Sequence, residues 1–100
     1  MVKHIVMFKL KEFPTQEEKQ SKMQEIKMRL ESLKDKIDVL RYIHVDFNIN
    51  PAEKWDIILT TEMNTLEDVN TYSTHPEHVA VAKGIIGPVK IDRACVDYQF

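Results

Sequence analysis

Two histidines and a tyrosine crowd the run YSTHPEH at residues 72–78, and a further histidine, His4, stands near the start of the chain. Imidazole titrates close to neutrality, so such side chains can accept or donate a proton at physiological pH. A tyrosine in a water-poor pocket adds a donor for an oxygen that gains negative charge. Together these residue types suit proton abstraction next to a carbonyl. A metal site is the competing chemistry. His75 and His78 are three apart, and His4, Glu77 or Asp97 could supply a third ligand of the zinc or copper kind. Pro76 interrupts that spacing and no second Cys or His cluster supports it, so neither metal nor cofactor is expected.

The elements that must hold these side chains are constrained first by size. One hundred residues make a single domain, 1–100, with one core of modest extent. Fourteen Lys and Arg oppose sixteen Asp and Glu, so no basic surplus exists for a phosphate backbone or an anionic membrane. Neither nucleic acid nor membrane is an expected partner. The segment MVKHIVMFKLK is broken by Lys3, His4, Lys9 and Lys11 and reads as a strand, not a signal peptide. Cys95 is the one cysteine and has no partner for an internal disulfide, which fits a reducing, cytoplasmic setting.

Residues 2–10 alternate, with His4, Val6, Phe8 and Leu10 on one face and Lys3, Ile5, Met7 and Lys9 on the other. Thr15 and Glu18 form a capping-box pattern ahead of a helix whose stripe is Met23, Ile26, Leu30, Leu33 and Ile37. The Glu/Lys run from Glu17 to Lys36 reads as its solvated face. Residues 39–49 and WDIILTTEM read as two more strands around the turn NPAEK. Asn64 with Glu67 repeats the capping pattern for a short helix, and Pro76 suits the first turn of another, with Gly84 as its stop. Residues 89–100 form the last strand, in which Cys95 is expected to be a small buried filler. The order strand, helix, strand, strand, helix, strand predicts an α+β, ferredoxin-like βαββαβ fold with an antiparallel sheet and helices on one face. Ile5 and Met7 would then lie on an uncovered apolar face, which predicts a symmetric homodimer through the sheet faces.

The chain resembles the stress-responsive A/B barrel (Dabb) family in KHIVMFKLK, in WDIILTTEM leading into TLEDVNTYSTHPEHVAV, and in RACVDYQF. The likeness covers nearly the whole chain. Its most specific parts are His4, the Tyr72, His75, Pro76 and His78 run, and the Asp97-Tyr98 pair. The resemblance implies a dimeric α+β barrel with a pocket between sheet and helices in each subunit. Many members have no assigned reaction, and a few plant members are polyketide cyclases that close a ring by aldol condensation. Their polar pocket residues match His4, Tyr72 and His78 here. The long charged first helix and the GIIGPV turn depart from the family pattern, so the substrate does not carry over.

Two functional classes follow. One is a small-molecule-binding barrel that holds an apolar or aromatic compound, with Val6, Phe8, Leu59, Met63 and His75 as expected wall residues. The other is a cofactor-independent cyclase or lyase in which His78 is the base, His4 its orienting partner or second acid–base group, and Tyr72 the donor to the enolate oxygen. The helix dipole would keep His78 neutral, and Tyr72 is expected to close the mouth. A purely structural reading stands beside both: His75 caps a helix, His78 fills a polar gap, and His4 bonds to it to satisfy a buried ring. Asp97 either pairs with Arg93, Lys3 or a strand-end amide, or orients His4. His44 reads as a surface or interface histidine and Trp55 as a core or rim aromatic. Haem-degrading monooxygenases share related barrels, but a shared fold carries no function.

Overall fold

A computed structural model describes all of residues 1–100. The first strand, β1 (Val2–Leu10), alternates buried and half-buried side chains from end to end. Val2, His4, Val6, Phe8 and Leu10 are buried beneath the helices, while Lys3, Ile5, Met7 and Lys9 face away. Then come α1 (Gln16–Glu31), β2 (Tyr42–Phe47), β3 (Ile57–Met63), α2 (Leu66–Thr74), α3 (Pro76–Val81) and β4 (Lys90–Gln99). The four strands form one antiparallel sheet in the order β2-β3-β1-β4. This is the ferredoxin-like α+β architecture, with three helices on one face. None of the helices is long and apolar enough to cross a membrane.

Thr15 caps α1, its hydroxyl accepting the Glu18 N–H at 3.1 Å. The helix buries Met23, Ile26 and Leu30, and a 3₁₀ turn at Ser32–Asp35 carries Leu33 into the same core. Its charged face is not wholly given to solvent. Glu31 accepts the Val45 N–H at 2.9 Å and Lys27 donates to the Val45 carbonyl at 2.6 Å. These contacts occupy the open edge of β2, where unpaired backbone would otherwise invite another strand. Burial pushes the Glu31 carboxyl up, but the bonds from Lys27 and the Val45 amide outweigh it and hold the group below the usual range.

A second tie lies at the far end of β1. Asp56 accepts the Leu10 N–H at 2.8 Å and pairs with Lys19 at 2.8 Å, so it joins β1, α1 and the approach to β3. Burial would raise this carboxyl too, yet Lys19 and the Leu10 amide keep it depressed.

Several local expectations change. Residues 39–41 precede β2 instead of belonging to it, because Leu40 turns into the core and its N–H bonds to Ile37 O at 3.1 Å. The cap of α2 is Thr65, not Asn64, with its hydroxyl accepting the Asp68 N–H at 3.0 Å. Gly84 does not stop the last helix. No residue has a positive φ, so no left-handed cap forms there, and the chain continues as a π turn over Ala82–Ile86. The turn ends at Gly87, where an added Cβ would meet Lys83 O at 3.1 Å. Cys95 is exposed and not a buried filler, because β4 is an edge strand that pairs only with β1 and lies beyond the helices' cover.

Candidate functional site

Only two of the 21 buried residues are polar or charged in type, His4 and Thr61, and they are cross-strand partners on β1 and β3. Thr61 donates its hydroxyl to the His4 carbonyl at 3.1 Å, which fixes the backbone beneath the ring. On the other side of β1, the antiparallel register sets His4 opposite Asp97, Val6 opposite Cys95 and Phe8 opposite Arg93. The His4 Nδ1–H donates to Asp97 Oδ1 at 2.5 Å. A carboxylate can only accept, so this bond makes Nδ1 the protonated nitrogen of the neutral ring and leaves the lone pair on Nε2.

The second imidazole arrives from the helices. His75 ends α2 and caps α3, its Nδ1 accepting the Glu77 N–H at 3.1 Å, and Pro76 takes the first helical position. That cap orients the first turn so that His78 Nδ1 donates to the Ser73 carbonyl at 2.9 Å. His78 thereby takes the same tautomer as His4, with its lone pair on Nε2. Burial lowers its pKa below the ordinary imidazole value, helped by His4, Arg93 and His75 and opposed by the bond to Ser73. The direction matches the expectation of a neutral ring, but burial is its leading cause.

Tyr72 packs near both rings, 6.3 Å from His4 in a T-shaped arrangement and 4.6 Å from His78, centroid to centroid. It does not close a mouth, because it has 0% exposure. Its hydroxyl is the one buried side-chain polar atom without a hydrogen-bond partner. Burial also pushes the phenol pKa up, so it remains a neutral donor.

His4 and His78 wall a cavity of about 130 Å³ between sheet and helices. Val6, Phe8 and Leu59 line it with them, as do Lys90 and Arg93 of β4. Met63, His75 and Tyr72 are not among the lining residues: Met63 is packed in the core at the end of β3, the His75 ring is taken by its capping bond, and Tyr72 is fully buried against the two imidazoles. Asp97 orients His4 instead of pairing with Arg93 or Lys3. The donor set that the fold gathers also differs from the His75/His78 spacing. His4, Cys95 and Asp97 bring ligand-type atoms within 4.8 Å of one another, although Asp97 already holds His4 Nδ1. Arg93 and Lys90 were missed at the sequence level; alternation with Cys95 and Asp97 along β4 could have found Arg93, whereas Lys90 is out of phase and follows the register shift at Lys9/Leu10, which no local pattern signals. His44 sits half-buried on the outer face near Glu31 and Asp46, remote from the cavity. Trp55 is half-buried before β3, with Lys54 over its ring at 4.7 Å.

No curated protein matches the chain significantly. Among solved structures, a dimeric protein of unknown function with a ferredoxin-like fold from Bacteroides fragilis is 50% identical, covering 99% of this chain and 95% of that one at a TM-score of 0.90. A Dabb-family protein from Mesorhizobium loti is 21% identical, covering 98% and 94% at a TM-score of 0.75. A hydroxynitrile lyase from Passiflora edulis is 16% identical, covering 97% and 90% at 0.78. At these last two identities the likeness concerns the fold. The model of the stress responsive A/B barrel domain matches residues 2–100, and with it the chain belongs to the stress-responsive A/B barrel family.

Proposed function

We propose that this chain binds a small carbonyl or hydroxyl compound in the cavity between its sheet and helices. One observation carries the reading: two imidazoles, anchored through Nδ1 to Asp97 and to Ser73, line one cavity, and neither Nε2 has a partner within the chain. Polar groups withdrawn from water are normally bonded. Two free lone pairs in one cavity are therefore an unfavourable arrangement that a ligand able to donate hydrogen bonds would relieve. A thermal-shift series of aromatic acids and β-diketones tests this on the wild type, His4→Ala and His78→Ala. A ligand at 100 times its Kd stabilises by ~2.7 kcal/mol. A shift confined to the wild type is the expected result. A wild type unmoved by every compound, with both variants destabilised, would assign the histidines to packing alone.

The Asp97–His4 pair favours acid–base turnover as a second reading, an aldol-type ring closure or a lyase step. His4 Nε2 takes the proton next to the carbonyl, and Asp97 preserves the tautomer and stabilises the imidazolium that forms. The Tyr72 hydroxyl, buried against both rings and without a partner, is the donor to the enolate oxygen, since the one N–H of neutral His78 is held by Ser73. This assigns to His4 the base's role that sequence reasoning gave to His78, because only His4 is backed by a carboxylate. In a pure binder, His4→Ala weakens affinity and there is no turnover to lose. In an enzyme it abolishes turnover while binding largely survives.

The outer sheet face fits a homodimer contact that would complete a dimeric α+β barrel. Val96 and Tyr98 on β4 are 53% and 44% exposed, and the register sets Val96 opposite Ile5, Tyr98 opposite Lys3 and Ala94 opposite Met7 on that face. Several structural neighbours are described as dimeric. Only monomer in a mass measurement of dilute protein would end this part of the proposal. A cytoplasmic setting is supported by the free thiol of Cys95, and recovery of the native protein from periplasm or medium would refute it.

A further inference from the structure

The cavity that holds the imidazoles has a charged end. Lys90 and Arg93 line it and are exposed, whereas Val6, Phe8, Leu30, Leu59 and Ile86 form its apolar part. Neither cation enters any of the molecule's ion pairs. No acidic side chain lines the cavity. The two nearest carboxylates on β4 are engaged elsewhere: Asp97 with His4, and Asp92 with Lys54 on the opposite face. Arg93 lies close enough to depress the His78 pKa, so its positive charge is felt inside the site.

Size limits the occupant. A volume of about 130 Å³ is comparable to the ~150 Å³ apolar cavity that holds a benzene ring in an engineered protein. One ring or a short alkyl chain fits, and its charged group must then sit at the solvent end. A guanidinium fork pairs with a planar carboxylate through two parallel bonds, and an ammonium adds a point charge beside it.

We infer that the cavity takes a small carboxylic acid, with its apolar body among Val6, Phe8, Leu59 and Ile86 and its carboxylate held by Arg93 and Lys90. This rests on the cavity being a ligand site, and it names the chemical class that the site selects. Bound in this way, the acid's body lies against His4 and His78, so a hydroxyl near the ring would donate to one of the two free Nε2 atoms.

The test is calorimetric titration with two matched pairs, benzoate against benzamide and hexanoate against hexanamide, on the wild type, Arg93→Gln and Lys90→Gln. Both substitutions are at exposed positions, and an unchanged thermal midpoint verifies folding. The wild type should prefer each acid to its amide by about tenfold or more, a difference of ~1.4 kcal/mol. Each variant should lose most of that preference without losing amide binding, and added salt should weaken the acids only. Equal affinity for acid and amide would overturn the inference while leaving the ligand cavity standing. Inorganic phosphate competing as well as benzoate would overturn it in favour of a general anion patch. Failure of all four compounds to bind the wild type would overturn both the inference and the cavity reading beneath it.

Discussion

His4 Nδ1 and Asp97 Oδ1 lie 2.5 Å apart across neighbouring strands, although 93 residues separate them in the chain. The antiparallel register of β1 and β4 makes them direct partners, so the contact belongs to the sheet and not to a mobile loop. Its chemical effect is to choose the tautomer of His4 and leave Nε2 as the acceptor.

Asp97→Asn tests that effect without emptying the site. An amide can donate to Nδ1, which favours the opposite tautomer. Nitrogen-15 shifts of the His4 ring should report a proton on Nδ1 in the wild type and on Nε2 in the variant. If the protein turns over a substrate, the rate should fall by a factor on the order of 10⁴, as for the loss of the analogous carboxylate in a Ser-His-Asp triad. An unchanged tautomer would remove Asp97 from the site's chemistry.

His78 should make stability depend on pH in a defined direction. Its folded pKa lies below the ordinary value of 6.5 because the ring is buried. The unfolded chain therefore takes up the proton first as pH falls. Stability contributed by the neutral ring is fully present above about pH 6.5 and is lost progressively below it, down to the folded pKa. Denaturant unfolding between pH 8 and pH 5 should show this decline, and His78→Gln should flatten it. A decline of equal slope in the variant would assign the effect to other groups.

Tyr72→Phe removes the orphan hydroxyl and little else. A buried polar group without a partner costs ~1–3 kcal/mol, so the variant should be as stable as the wild type or more so. Ligands of the cavity should bind it more weakly if the hydroxyl serves them. A clear loss of stability would mean that the phenol has a partner in the folded protein and is not held for a ligand.

Asp56→Asn separates structure from site. The carboxylate accepts the Leu10 N–H and pairs with Lys19, far along β1 from His4. Losing the charge should cost ~1.5–3 kcal/mol in denaturant unfolding, the range for a hydrogen bond to a charged group. Ligand affinity should not move. A coupled loss of affinity would show that the end of β1 communicates with the cavity.

Ile5→Asp places a charge on the outer sheet face. Ile5 pairs with Val96 and Thr60 across the sheet, away from the helices. In a dimer built on that face, the variant should sediment as monomer while its helix and strand signal is retained. A variant that stays dimeric would direct the search to another surface.

Much of the fold was legible because its signals are local. Strict alternation in residues 2–10 assigns His4 to the covered face before any partner strand is known. Thr15 and Pro76 mark helix starts through bonds made within three residues or through a missing N–H. The errors arose where two local options were close. Asn64 and Thr65 are adjacent candidates for one cap, and only the path of the chain selects Thr65. Val39 and Leu40 continue an apolar pattern that the tight turn at Ile37 takes out of the strand.

The chain by itself determined the element order, the covered face of β1 and the presence of three site-type residues, His4, Tyr72 and His78. The tertiary structure alone decided what those residues meet. Period and capping are set by neighbours a few residues away, so they can be read along the chain. The pairing of His4 with Asp97, the orphaned Tyr72 hydroxyl and the convergence of Lys90 and Arg93 on one cavity depend on strand register and helix docking. A shift of one residue in that register would turn Asp97, Cys95 and Arg93 to the opposite face and leave the same sequence without this site.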